Sequence, residues 1–200
     1  MLLSKDFYLR DDVIQIAKEL LGKFIVTNIN GNLTAGMITE TEAYRGRDDK
    51  ASHAYNNRLT KRTATMFREG GCAYVYLCYG IHHLFNVVTG PEGVANAVLI
   101  RALEPADNIH LIQQRRNIDK IKPQLTAGPG VMSMALGIRT DLDGEDLLNN
   151  NGSVWIEDRG IVFQEKEIHT TTRIGVDYAE ECAQWPWRFY VKDSIWVSKK

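Results

Sequence analysis

Residues 23–44 read KFIVTNINGNLTAGMITETEAY. The first seven are mostly apolar or β-branched and favour a strand. Asn30-Gly31 is the signature of a two-residue hairpin turn, because both residues tolerate positive φ. LTAGMITETEAY, from Leu33 to Tyr44, then returns antiparallel. Side chains alternate along a strand, so Glu40, Glu42 and Tyr44 share one face. Such a polar face usually meets water. A catalytic carboxylate with an aromatic platform beside it produces the same pattern, and the rest of the chain decides between the two.

The flanking sequence extends this hairpin into a sheet. Asp11-Asp12 followed by VIQIAKELLG predicts a capped amphipathic helix with Val13, Ile14, Ile16, Ala17, Leu20 and Leu21 inward and Gly22 as its stop. AYVYLC and IHHLFNVVT predict two strands around a tight turn at Tyr79-Gly80, and AVLIRAL predicts a buried strand. DNIHLIQQRR, from Asp107 to Arg116, predicts a helix. Gly128-Pro129-Gly130 opens another over VMSMALGI, proline being favoured in a first turn. GEDLL is a short helical candidate, and SVWIED, HTTTRIGV and WRFYVK predict later strands. Residues 45–70 lack periodicity and read as a long functional loop with a short helix near Thr63–Phe67. Hairpins outnumber βαβ units, so the expected fold is α+β, with a mostly antiparallel curved sheet, surrounding helices and a protruding β-hairpin.

With 200 residues, 44% of them hydrophobic, the chain suits one soluble domain with a real core, or at most two small ones. A formal charge of -1 gives no global reason to bind nucleic acid, so the local distribution of charge matters more. Three cysteines without metal spacing disfavour a disulfide framework or a zinc site and point to a reducing cytoplasm. The opening MLLSKDFYLRDD does not read as a signal peptide, and no apolar run is long enough to span a bilayer.

Several residues are out of place in a plain core or surface. Between Arg45 and Arg68 stand Arg45, Arg47, Lys50, Arg58, Lys61, Arg62 and Arg68 against Asp48 and Asp49. That local excess fits either a solvated loop or a phosphate-contacting surface. Tyr79 at a hairpin tip is hard to bury and could serve as a wedge between base steps, with Tyr74 and Tyr76 on one face of the strand before it. His53 is an isolated histidine in the basic loop. His82 and His83 are adjacent on a strand, face opposite ways and read as structural. Arg101 inside an apolar strand must be paired. It serves either in an ion pair, with Glu104 for example, or against an active-site anion. Asn86 inside LFNVV needs partners too, so it is structural or lines a polar pocket.

Taken in order, these pieces resemble the alkyladenine (3-methyladenine) DNA glycosylase family, catalytic domain only. The matching motifs are TETEAYRG at 39–46, ASHA at 51–54, MF at 66–67, YVYLCYG at 74–80, FN at 85–86 and LIRALEP at 99–105. They continue with GPG at 128–130, RIGVDYA at 173–179 and RFYV at 188–191. Nearly the whole chain is covered, so residues 1–200 are expected to form a single glycosylase domain. The resemblance implies that Glu42 is the catalytic carboxylate and that Arg101 helps hold the nucleophilic water. It implies that Tyr44 and Tyr76 sandwich the extruded base, that His53 packs against it and that Asn86 crowds a guanine amino group. Tyr79 becomes the intercalating residue. A monofunctional hydrolase of alkylated or deaminated purines in duplex DNA follows, working as a monomer without metal or other cofactor, cytoplasmic or, in a eukaryote, nuclear. One motif departs: relatives carry a lysine in a G-P-x-K pattern, where this chain has Val131 and Met132 after Gly130. Two other readings compete. One is a non-catalytic module that holds modified bases. The other is a small-molecule nucleoside hydrolase, which would need neither Tyr79 at a turn nor a basic loop.

Overall fold

The computed structural model describes all 200 residues, Met1–Lys200. Helices α1 (Lys5–Tyr8) and α2 (Val13–Glu19) precede the hairpin of β1 (Phe24–Ile29) and β2 (Asn32–Arg45). Then come β3 (Ala73–Cys78), β4 (His82–Thr89), β5 (Asn96–Asp107), α3 (Ile109–Arg116), α4 (Pro129–Leu136), β6 (Val154–Glu157), β7 (Ile168–Thr171) and β8 (Arg188–Val191). All eight strands join one antiparallel sheet in the order β3-β4-β5-β2-β1-β6, with β8 pairing β2 and β7. The architecture is α+β and single-domain, as the hairpin pattern predicts. No helix is long and apolar enough to cross a membrane.

Local chemistry explains the elements. The Asp12 carboxylate accepts from the backbone N–H groups of Ile14 and Gln15 at 3.1 and 3.0 Å, capping α2. Val13, Ile16, Ala17, Leu20 and Leu21 are buried beneath it, and Ile14 is half-buried. Asn30 and Gly31 both have positive φ, 53° and 77°, the primed turn whose twist matches a hairpin.

β2 is the centre of the molecule. Its first half pairs with β1, Glu40–Glu42 pairs with β8 on that same side, and β5 runs along its other edge. Register fixes what each face carries. Glu42 stands opposite Leu99, Leu99 opposite Asn86, and Asn86 opposite Tyr74. Directly opposed residues share a face, so a row crosses four strands on one side of the sheet. The alternate residues Ala43, Val98, Ile100, Phe85, Val87, Ala73 and Val75 face the other way into a core of 32 buried residues, with Ile16, Leu20, Met132 and Leu136 from α2 and α4. One face is therefore the core and the other the site.

Two predicted elements differ. GEDLL is not helical. Leu147 donates to the carbonyl of Gly71 at 2.9 Å, Ala73 and residues 144–145 exchange backbone bonds, and Asp146 bridges Cys72. The edge strand β3 would otherwise leave these backbone groups unpaired, and that need outweighs a marginal helical pattern. The strand expected over HTTTRIGV stops at Thr171, and Arg173 and Ile174 turn in toward β2.

Candidate active site

The site face carries a buried charge cluster. Glu40 and Glu42 are fully buried, as alternation along β2 predicts for groups facing a site rather than water. Arg101 is not paired with Glu104, which is exposed. Its Nε donates to Glu40 Oε1 at 3.0 Å, and its Nη1 lies 3.2 Å from Glu42 Oε1. The register of β5 against β2 shifts on both sides of Glu40, which brings Arg101 between the two acids. Glu40 also accepts from Arg188 Nε at 2.7 Å and from the backbone N–H and hydroxyl of Ser198 at 2.6 and 2.8 Å. Burial opposes the charge on Arg101, but Glu42 and Glu40 outweigh it and raise its pKa.

Glu42 has a second set of partners. Tyr44 donates its phenol proton to Oε2 at 2.7 Å, and the Ile174 N–H donates to Oε1 at 2.8 Å. Burial, and then the adjacent carboxylate, hold the Tyr44 phenol well above its ordinary pKa. Its ring is backed by the Arg173 guanidinium, 4.7 Å from the centroid. Arg173 is itself fixed by two bonds to the buried Asp49 carboxylate and one to the Ala43 carbonyl. Asp49, read from sequence as a loop acid, is thus a structural counter-ion with no exposure. The arginine of RIGVDYA supports the tyrosine of TEAY. The sequence signal was there, an arginine in a motif of small and apolar residues, but its partner lies more than a hundred residues away.

In front of this cluster lies a cavity of about 660 Å³. Tyr44, His53, Tyr76, Tyr79, Asn86 and Arg101 all line it. Glu42 sits one layer behind the wall, reached through Tyr44, Arg101 and Ile174, each of which touches it and faces the cavity. The aromatic lining with a few polar groups suits a planar ligand, and the volume is ample for a nucleobase with its sugar attached. Tyr74 and Tyr76 stand with centroids 5.4 Å apart, and His53 meets Tyr76 edge-on at 4.6 Å. Both amide hydrogens of Asn86 go to backbone carbonyls, of Tyr74 at 3.1 Å and Leu84 at 3.4 Å. The amide is therefore held rigid, with Oδ1 left as its unpaired polar atom.

His53 is neutral. Arg62 has only donors, so its 3.3 Å contact to Nε2 makes that nitrogen the acceptor. The proton then sits on Nδ1 and is shared with the Tyr74 hydroxyl at 3.0 Å, a tautomer assigned from the hydrogen-bond network. Burial, with Arg62 adding to it, lowers the His53 pKa to about 4.

Tyr79 is 91% exposed at the tip of the hairpin β3–β4, with Leu77 and Ile81 also exposed beside it. Tyr79 and Gly80 have φ of 51° and 74°, and Ile81 donates to the Cys78 carbonyl, a primed turn within a three-residue loop that leaves Cys78 opposite His82. A tyrosine in left-handed backbone is strained, and its ring is thrust outward. The basic loop is less basic than its sequence. Arg45 is held by Asp48, and Lys50 by Glu180 and Glu181. Arg58, Lys61, Arg62 and Arg68 remain as exposed cations without a carboxylate partner. The Gly128–Val131 segment also reaches the cavity rim, which its sequence did not reveal.

The site therefore combines a buried carboxylate paired with arginine, an aromatic-lined cavity and an exposed tyrosine beside exposed cations. A family model described as "Methylpurine-DNA glycosylase (MPG)" matches residues 6–195. A protein of Clostridium botulinum strain Alaska E43, named "Putative 3-methyladenine DNA glycosylase", is 47% identical over the full length of both chains. A protein of the same name from strain Loch Maree is 44% identical, again over both full lengths. The chain belongs to the methylpurine-DNA glycosylase family, whose members hydrolyse N-glycosyl bonds in DNA.

Proposed function

We propose that the protein is a monofunctional DNA glycosylase that removes alkylated or deaminated purines, of the 3-methyladenine and hypoxanthine type, everted from duplex DNA. Excision by a single active domain, acting as a monomer, would open base excision repair. The observation that carries this reading is the Glu42–Arg101 pair, 3.2 Å apart and directly behind an aromatic cavity with room for a nucleotide.

The chemistry follows from the residues. A base inside a duplex is shielded and must be rotated out, at a cost of about a few kcal/mol. Tyr79 fills the vacated stack and opposes return. Tyr44 and Tyr76 hold the extruded ring, each stacked base–aromatic contact contributing about 1–3 kcal/mol. A cationic methylated base gains further attraction from these electron-rich faces. His53 packs against the base, and Asn86 crowds the position of a guanine amino group.

Breaking the N-glycosidic bond leaves positive charge on the sugar. Glu42 stabilises that charge and accepts the proton of a water whose oxygen bonds to the anomeric carbon. The bonding electrons depart with the base. Arg101 contacts Glu42 at 3.2 Å and orients the water. A 3-methyladenine cation leaves as a neutral molecule without protonation, whereas hypoxanthine leaves more readily once protonated. No lysine stands among these residues as an amine nucleophile, so water, not the protein, takes the sugar.

Duplexes carrying each lesion, incubated with the protein and then cleaved with alkali, test the reading. Wild type should release base, and Glu42→Gln should keep lesion binding while losing about 10²–10⁴-fold in single-turnover excision. Binding without excision by wild type would favour the non-catalytic module. Undiminished excision by the glutamine variant would remove Glu42 from its role.

A further inference from the structure

Arg62 has no place in the chemistry above, yet it occupies the cavity. Its guanidinium carbon lies 5.0 Å from the centroid of Tyr76, over the ring. Its Nη2 donates to His53 Nε2 at 3.3 Å. The guanidinium is planar, cationic and rich in donors, and it rests on one proposed base-holding ring while bonded to the other. A methylated purine is also planar and cationic. The two compete for one place.

The other surroundings of Arg62 are as informative. The residue is exposed, and its side chain bonds His53 and lies against the Tyr74 hydroxyl, with no carboxylate partner. Arg45 and Lys50 in the same loop are tied into ion pairs, whereas Arg62, like Arg58, Lys61 and Arg68, has none. Arg62 has thus kept its charge uncompensated at the mouth of the cavity. A guanidinium over a tyrosine gains less at such a site than a charge-assisted bond to phosphate.

We infer that Arg62 is the gate of the base pocket, occupying Tyr76 and His53 in the free protein and leaving them for a phosphate of the everted nucleotide as the base enters. Backbone binding and pocket opening are then one event. A base attached to its phosphate supplies the charge that draws Arg62 away. A free base lacks it and must displace the guanidinium unaided. The pocket therefore discriminates nucleotides in DNA from loose purines, including the product just released. Arg62 acts here as a positioning residue, and the inference rests on the base-pocket reading above.

The test needs no catalysis for its first arm. Affinity for free 3-methyladenine is measured by calorimetry for wild type, Arg62→Ala and Arg62→Lys. Removal of the gate should tighten free-base binding about three- to tenfold. In the second arm, binding of a lesion duplex is followed against salt. Arg62→Ala should weaken it and flatten the slope of log K against log salt by about one, and Arg62→Lys should restore that slope. Free-base binding that is unchanged, weaker or undetectable in Arg62→Ala overturns the gate, and so does an unchanged salt slope. If wild type releases no base from any lesion duplex, the glycosylase reading fails, while the free-base comparison still decides the gate.

Discussion

Arg101 touches two buried acids with different nitrogens of one guanidinium: Nε meets Glu40 at 3.0 Å and Nη1 lies 3.2 Å from Glu42. Glu40 has four donors around it, from Arg101, Arg188 and Ser198, and does not itself line the cavity. It anchors the arginine that faces Glu42. A lysine, with one point charge, cannot bridge both acids. Glu40→Gln is expected to slow excision by up to about 10²-fold with lesion affinity unchanged, since a displaced Arg101 misplaces the water. Arg101→Lys should behave likewise. Single-turnover rates beside equilibrium binding decide it, and a change confined to affinity would show that Glu40 does something else.

Tyr79, the proposed wedge, is held in a strained turn. Tyr79 has φ of 51°, where asparagine sits comfortably and tyrosine does not. Tyr79→Asn should raise stability by about 1 kcal/mol in urea unfolding. The same variant should lose about tenfold or more in excision from duplexes, because nothing then fills the vacated stack. Opposite signs on stability and activity are the diagnostic. A variant that loses both would mean the turn is not strained.

Arg173 and Asp49 form an ion pair with neither side chain exposed. Breaking one partner strands the other charge, so Arg173→Met is expected to cost about 3–5 kcal/mol. Removing both, as Arg173→Met with Asp49→Leu, should recover part of that loss. Denaturant melts of the three proteins measure the coupling, and strict additivity would show that the pair is not a unit.

His53 sets a pH dependence of stability. Its folded pKa, about 4, lies below the ordinary histidine value of 6.5. Above pH 6.5 neither state is protonated there, and the residue contributes nothing. Between 6.5 and 4 the unfolded chain binds a proton that the folded protein refuses, so stability falls as pH falls, by at most about 3 kcal/mol. Below 4 the loss is complete. His53→Gln should lose less stability than wild type across that window, carboxylate effects cancelling in the comparison. Parallel pH profiles would place the histidine in water.

Leaving groups should separate by pH as well. Hypoxanthine excision is expected to decline at high pH before excision of a cationic base, because only the neutral base gains from protonation. Coincident single-turnover profiles would argue against protonated departure.

Much of this protein is written locally. The Asp12 cap, the Asn30-Gly31 turn and the period-2 alternation of β2 depend on neighbours in sequence, so the helix, the hairpin and the shared face of Glu40, Glu42 and Tyr44 could be read directly. The family motifs likewise marked Arg101, His53, Tyr76, Tyr79 and Asn86, and the fold brings all five to one cavity. The partner of Arg101 could not be read, because a bulge in the β2–β5 register selects Glu40 and Glu42 over the nearby Glu104. Nor could the burial of Asp49 against Arg173, the pairing of GEDLL with β3, or the resting place of Arg62. Sequence sets periodicity and turn chemistry, which are short-range. Which charge neutralises which is settled only when distant strands are laid side by side, since a buried charge takes whatever counter-charge the packed chain brings within reach.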